Sequence, residues 1–339
     1  MNYFFCVATM LALGMHDTFG FSVYFPFFGT SVLEADSIVS GTLSATDESV
    51  SVHVTDSIKG THKVHESVSL FKNPSDPYFN PTNFATKLNG EECLVFGYHH
   101  EGGMQLLWSQ YAVWPQGITT GRPWLSSLED CMAFVTAILE YESMGKIDES
   151  SLVKRLVQDL QTDARRLFAL EYLESTPRIN GVHQKVFGNE PVNDDLRYDI
   201  LRIAAAHIVK NQLFDDWTFM CVQRAYPVMP QTLMITYFKA LVGKKGLHDE
   251  VARAQLRSIA RLPPEIKDYA TIESKINEMI PFYQQLDAKR NLRLFDSPHE
   301  AIAESASLVF SMIFNIPAPQ NMTRAEEKVF WQTKMDEKQ

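Results

Sequence analysis

The feature that most constrains this chain is a change in the spacing of its apolar residues near residue 121. Before that point apolar and polar residues alternate. Ile38, Ser40 and Thr42 stand opposite Val39, Gly41 and Leu43, and Val50, Val52 and Val54 alternate with Ser51, His53 and Thr55. A period of two belongs to a β-strand, because successive side chains leave a pleated backbone on opposite faces. Val50, Val52 and Val54 are therefore expected to face a core. Further strands are predicted over 64–71, 92–98 and 104–113. Between them, KNPSDPYFNPTNF carries Pro74, Pro77 and Pro81 and reads as a loop, since proline cannot donate to a ladder. Five short strands with turn-rich connections favour a small closed barrel, because closure removes exposed edges.

After residue 121 the apolar spacing becomes helical. LSSLEDCMAFVTAILEYESMG opens with Ser126 or Ser127 three residues before an acidic residue, a capping-box pattern, and is predicted to stop at Gly145. ESSLVKRLVQDLQ, DARRLFALEYLEST, NDDLRYDILRIAAAHIVKNQL, PQTLMITYFKALVGKKG and HDEVARAQLRSIARL follow. Three segments place an acid shortly before an arginine and an apolar stripe: Asp163 with Arg165, Asp195 with Arg197, and Asp249 with Arg253. Stacked helix pairs produce such a pattern, since each pair must bury its stripe against the next. HEAIAESASLVFSMIFNI reads as a buried closing helix, its apolar core being about half a bilayer span. The fold class is thus α+β, an N-terminal small β-barrel followed by an all-α, helical-repeat-like domain. The expected divisions are a signal peptide at 1–20, the barrel at 21–121, the helical domain at 122–316 and, at 317–339, a polar tail that can carry a helix.

The N-terminus points to export. An apolar run from Tyr3 to Met15 has the length of a signal-peptide core and is too short to span a bilayer, and small residues at Thr18 and Gly20 permit cleavage. The expected location is secreted or periplasmic, with no stable membrane span in the mature chain. Cleavage would leave Cys93, Cys131 and Cys221. None has CxxC spacing, so neither a zinc knuckle nor a redox pair is supported. One disulfide and one thiol, or three buried thiols, both remain open.

Charge argues against a polyanion. The formal net charge is −10, and residues 21–121 hold 4 Lys against 10 Asp or Glu, with no Arg. A phosphate backbone needs lysine and arginine to displace its counterions, so no nucleic-acid partner is expected.

Reactive groups are present without the spacing that reactions require. His53, His62, His65, His99 and His100 crowd one stretch of the barrel, and imidazole is the commonest zinc ligand. HKVHE, however, is not HExxH, and on a strand His62 and His65 would point to opposite sides, as would His99 and His100. They read as loop histidines, with metal ligation kept as an alternative. No GxSxG, GxxxxGK[ST] or GxGxxG occurs, so no nucleophile elbow or phosphate loop, and no cofactor, is expected. GKKG at 243–246 reads as a helix C-terminus whose lysines complement the dipole. Asp194 with Asp195, and Glu140 with Glu142, read as solvated helix-end and exposed-face acids. Tyr98, Trp108, Tyr111 and Trp114 form a dense aromatic patch, the candidate binding surface if they are not core.

ADSIVSGTL, VHVTDSIKG, EECLVFGYHH and YAVWPQG together resemble the N-terminal part of bacterial secreted proteins. Their barrel is similar to the OB fold of netrins and tissue inhibitors of metalloproteinases, and the likeness covers about 33–120. DARRLFALEYL and DLRYDILRIAAA resemble HEAT-like repeats, over roughly 125–262. The resemblance implies fold more than activity. The inhibitors place an N-terminal cysteine on a protease's zinc, whereas this chain would begin at Phe21 and has no cysteine before Cys93. The function expected is an exported, non-enzymatic binding protein, with barrel and helical stack as surfaces for a protein partner. The alternative is a metal-binding protein or metal-assisted hydrolase built on the barrel histidines.

Overall fold

The computed structural model describes residues 28–72, 88–107, 113–115, 127–175, 194–215, 218–219, 222, 229–244 and 246–337. The leader expected at 1–20, the proline-rich loop after Lys72, Trp108, Tyr111 and Cys221 lie outside these residues.

The alternating valines of the N-terminal region build a closed sheet. β1 (Ser37–Ala45) pairs antiparallel with β2 (Val50–Lys59), and β2 with β3 (Ser67–Phe71). β4 (Glu92–His100) turns back antiparallel through β5 (Gly103–Leu106), which runs parallel to β3. β4 also pairs with β1, so five strands close in the order β1, β2, β3, β5, β4 and back to β1. This is the expected small closed barrel, built of five strands. The predicted strand at 104–113 is two strands, β5 and a short β6 (Val113–Pro115) that extends the sheet along β4.

Register fixes which side chains point inward. Val39 opposes Val95, Gly41 opposes Cys93 and Val54, and Leu43 opposes Val52, so these residues share the interior, and all the side chains among them are buried. Gly41 is required at this point. A Cβ there would lie 2.1 Å from the carbonyl oxygen of His53, at the irregular register where β1 bends around the barrel. Ile38 opposes Phe96 and Ser40 opposes Leu94 on the outer face, yet Ile38, Leu94 and Phe96 are also fully buried. β1 and β4 are covered from outside, which is why ECLVF reads as a run and not as an alternation.

The cover is helical. α1 (Phe28–Glu34), directly before β1, packs against α2 (Leu128–Ile147) and α4 (Asp163–Ser175), and α2 also touches β4. α3 (Glu149–Asp159) lies between α2 and α4 in sequence and packs on both. Then come α5 (Asp194–Lys210), α6 (Gln231–Leu241), α7 (Leu247–Ile259) and α8 (Tyr269–Asn291). A 3-10 turn (Leu292–Asp296), α9 (Glu300–Phe314) and α10 (Arg324–Asp336) complete the described helices. Most contacts join helices near in sequence, as in stacked pairs, but α9 returns to touch α3 as well as α5, α6 and α8. Ile302, Ala306, Val309 and Phe310 on α9 are fully buried, so this helix is the common axis of the bundle.

Several local expectations change. α2 is capped by Ser127, whose hydroxyl accepts from the Asp130 amide at 3.0 Å, and it runs through Gly145 to Ile147. It ends where Asp148 turns to cap α3 by accepting from the Ser150 amide. Glu142 is buried beside Lys146 at 2.8 Å, not solvated, because its face of α2 meets the barrel side of the bundle. The repeated acid–arginine spacing gives one direct pair, Asp249 with Arg253 at 2.9 Å. Asp163 pairs with Arg166, and Arg165 instead reaches Asp159 and Glu140. Lys244 of GKKG lies over the Phe214 ring at 3.7 Å, a cation–π contact.

The stretch expected as a polar tail carries α10, with a complete capping box at Thr323 and Glu326. Trp331 is fully buried, stacked 5.9 Å from Phe314, with its indole N–H donating to Ser307 Oγ at 3.1 Å. Trp331, with half-buried Phe330 against it and buried Met335 one turn on, docks this otherwise polar segment.

Candidate functional site

The barrel has one end where the five histidines gather. β2 stops at Lys59 and β3 starts at Ser67, so 61–66 is a turn and strand alternation does not govern His62 and His65. The turn is held by the Glu66 side chain and by the backbone of β2: the Lys63 amide donates to Glu66 Oε2 at 2.8 Å, the His65 amide to the Val54 carbonyl at 2.8 Å, and the Val54 amide to the Glu66 carbonyl. His65 takes the left-handed backbone conformation that closes it, φ 68°. Both residues border one groove, but their side chains part: His62 is buried with its ring toward His99, and His65 is exposed with its ring toward His53.

The other wall is the β4–β5 turn. Register pairs His99 with Met104, whose side chain is buried inside the barrel, so His99 stands on the interior side at the mouth. Its backbone amide donates to Asp36 Oδ1 at 2.6 Å. His100 pairs with Gly103 on the outer side and its ring lies 4.8 Å from that of Phe71 at the end of β3. Gly103 is fixed by this closure: a Cβ would lie 2.2 Å from the Ser69 carbonyl oxygen of the parallel neighbour. Residues 61–66 and 99–103 thus enclose an open groove of about 800 Å³.

His62 is buried and His53, His65, His99 and His100 are exposed. The His62 and His99 rings lie 6.1 Å apart and the His53 and His65 rings 6.2 Å apart. His62 Nδ1 is 3.7 Å from Glu66 Oε1, and its Nε2 is buried with no hydrogen-bond partner. The Lys63 backbone amide, reinforced by His62, holds the Glu66 carboxyl below the usual carboxylate range. Among the described residues, no three His, Cys, Asp or Glu side chains converge as a ready ligand set.

The outer face of β2 and β3 continues the groove along the barrel wall. Thr55, His53, Ser67, Ser69 and Phe71 are exposed there, with His53 opposite Ser67. The aromatic candidates behave otherwise. Tyr98 and Trp114 are half-buried and pack against the core, with Trp114 opposite Leu94 on the face that the helices cover. Burial, then Glu34 and Asp36, pushes the Tyr98 hydroxyl up to about 12. Phe71, passed over as a strand end in the sequence, is the exposed ring beside the groove. Its signal was present: it occupies the outward parity of VSLF.

Cys93 and Cys131 are buried free thiols. No helix among the described residues is long and apolar enough to cross a membrane. In comparisons with family models, curated proteins and solved structures, nothing matches this chain.

Proposed function

We propose that this chain is an exported binding protein that offers its barrel to a protein partner and uses the helical bundle as a rigid support and second surface. The observation that carries this reading is the continuity of the histidine groove with the exposed β2–β3 face. OB-type barrels bind oligonucleotides and oligosaccharides across the face of strands 2 and 3, and here the groove sets the turn between strands 4 and 5 beside that face. Here that turn holds Glu101 and Gly102, and the face holds His53, Ser69 and Phe71. The strong acid excess of residues 21–121 favours a protein over a polyanion as ligand.

Export rests on the apolar run before Gly20, and the likeness to netrin-type barrels and HEAT-like repeats belongs to the same reading. A metal-binding role for the same histidines is favoured by one feature, the buried His62 imidazole.

Two experiments test the proposal. N-terminal sequencing of the protein from its native cells should find a chain starting near Phe21; a retained Met1 would remove the export part. A photo-crosslinking residue at Val64 or Glu101 should capture one defined protein. The same residue at Asp47 or Glu48, in the turn at the opposite end of the barrel, should not. Equal capture from both ends, or none from the groove, overturns the binding assignment.

A further inference from the structure

We propose that the mouth of the barrel binds a single divalent transition-metal ion, of the zinc or copper type, through His62 and His99. The inference does not depend on the identity of any protein partner. Three observations meet at one place. The His62 side chain is nine-tenths buried, and its Nε2 makes no hydrogen bond. A buried polar nitrogen left without a partner is costly, and a ligand is the direct way to satisfy it.

The second observation is spacing. Two imidazoles that share one ion at the usual metal–nitrogen distance of about 2.0–2.1 Å place their ring centroids roughly 5–6 Å apart. The His62 and His99 centroids are 6.1 Å apart, so a small inward movement of the exposed His99 suffices. The two come from different walls of the groove, the 61–66 turn and the end of β4, and binding would clamp those walls together.

The third is the carboxylate behind the ring. Glu66 Oε1 stands 3.7 Å from His62 Nδ1, and the Glu66 carboxylate is itself fixed by the Lys63 amide. A carboxylate on the far nitrogen of a ligating imidazole orients the ring and raises its basicity, so Glu66 is a positioning residue for His62. Among the described residues no third side chain converges, so two coordination positions are left for water or for a donor carried by a bound partner. Such a site is weaker than a closed four-ligand one. The His53–His65 pair has nearly the same spacing, but both residues are exposed and neither holds an orphaned nitrogen, which makes it an internal control.

The test is isothermal titration of the intact, tag-free chain with Zn²⁺ alone in a non-coordinating buffer. One equivalent should bind saturably. His62→Gln and His99→Gln should each weaken binding at least tenfold, and His53→Gln should leave it within twofold. His99 is exposed, so its variant keeps the test decisive if His62→Gln fails to fold. Absence of saturable binding, binding unchanged in His99→Gln, or a loss in His53→Gln as large as in His99→Gln would each overturn the assignment.

Discussion

The junction between barrel and helices can be tested through Glu34. This residue ends α1, whose position is set from both sides. The Gly29 amide donates to Glu171 Oε1 of α4 at 2.9 Å, and Lys59 Nζ of β2 donates to the Val32 and Leu33 carbonyls at 3.1 and 3.2 Å. The lysine thus satisfies carbonyls at the helix C-terminus, where a positive charge is favourable. Glu34 has no such relief: its Oε2 is buried without a hydrogen bond, and burial raises its pKa from 4.5 to about 7. The folded state therefore holds this proton to higher pH than the unfolded chain does. The stability it contributes is complete below about pH 4.5 and is lost as pH rises through about 7. A lift of that size corresponds to about 3 kcal/mol, an upper figure because the side chain is partly exposed. Glu34→Gln removes the titration. In urea unfolding, the variant should gain on the native protein by up to about 3 kcal/mol between about pH 4.5 and 8.5. Other buried acids, such as Asp199 and Asp287, titrate in both proteins and cancel. A stability difference that stays constant across this range would refute the burial of Glu34 at the junction.

Two further outcomes follow from packing. Trp331→Ala should cost about 3–5 kcal/mol of α10 docking, since the indole is fully buried between Phe310 and Phe314. Proteolytic cutting near residue 320 should rise steeply while the barrel stays resistant. Burial pushes the Cys93 thiol up to about 12 and the Cys131 thiol up to about 11, so a thiolate-dependent reagent at about pH 8 should label neither in the folded protein and both in denaturant.

How much of this was legible beforehand differs by element. Val50, Val52 and Val54 announced an inward face, and all three are buried. The run Cys93 to Phe96 announced two-sided burial, but nothing in a single strand says which partner supplies the second side; here α2 does. Closure through the parallel β3–β5 pairing depends on long-range register that no local pattern encodes. The composition of the last segment reads as polar, and the burial of Trp331 against Phe310 and Phe314 is the tertiary fact that makes it a docked helix. At the site, the histidines were visible but their geometry was not. Strand parity ends at Lys59, and within the 61–66 turn that His65 closes with a positive φ it is the tertiary fold that sets His62 against His99 and His65 against His53. The orphaned His62 nitrogen and the Phe71–His100 contact are tertiary facts, set by how the 61–66 turn and the β4–β5 turn meet.

On the proposed function, a partner is recognised at the groove formed by those two turns. The most direct measurement of that recognition is the affinity of the crosslinked partner for the purified chain and for Val64→Arg, His100→Ala and Asp47→Ala. Val64 is about half exposed on the groove, and none of the three side chains supports the core. Val64→Arg and His100→Ala should each weaken binding at least tenfold, with Asp47→Ala within twofold. Unchanged affinity in both groove variants, or an equal loss in Asp47→Ala, would contradict the account.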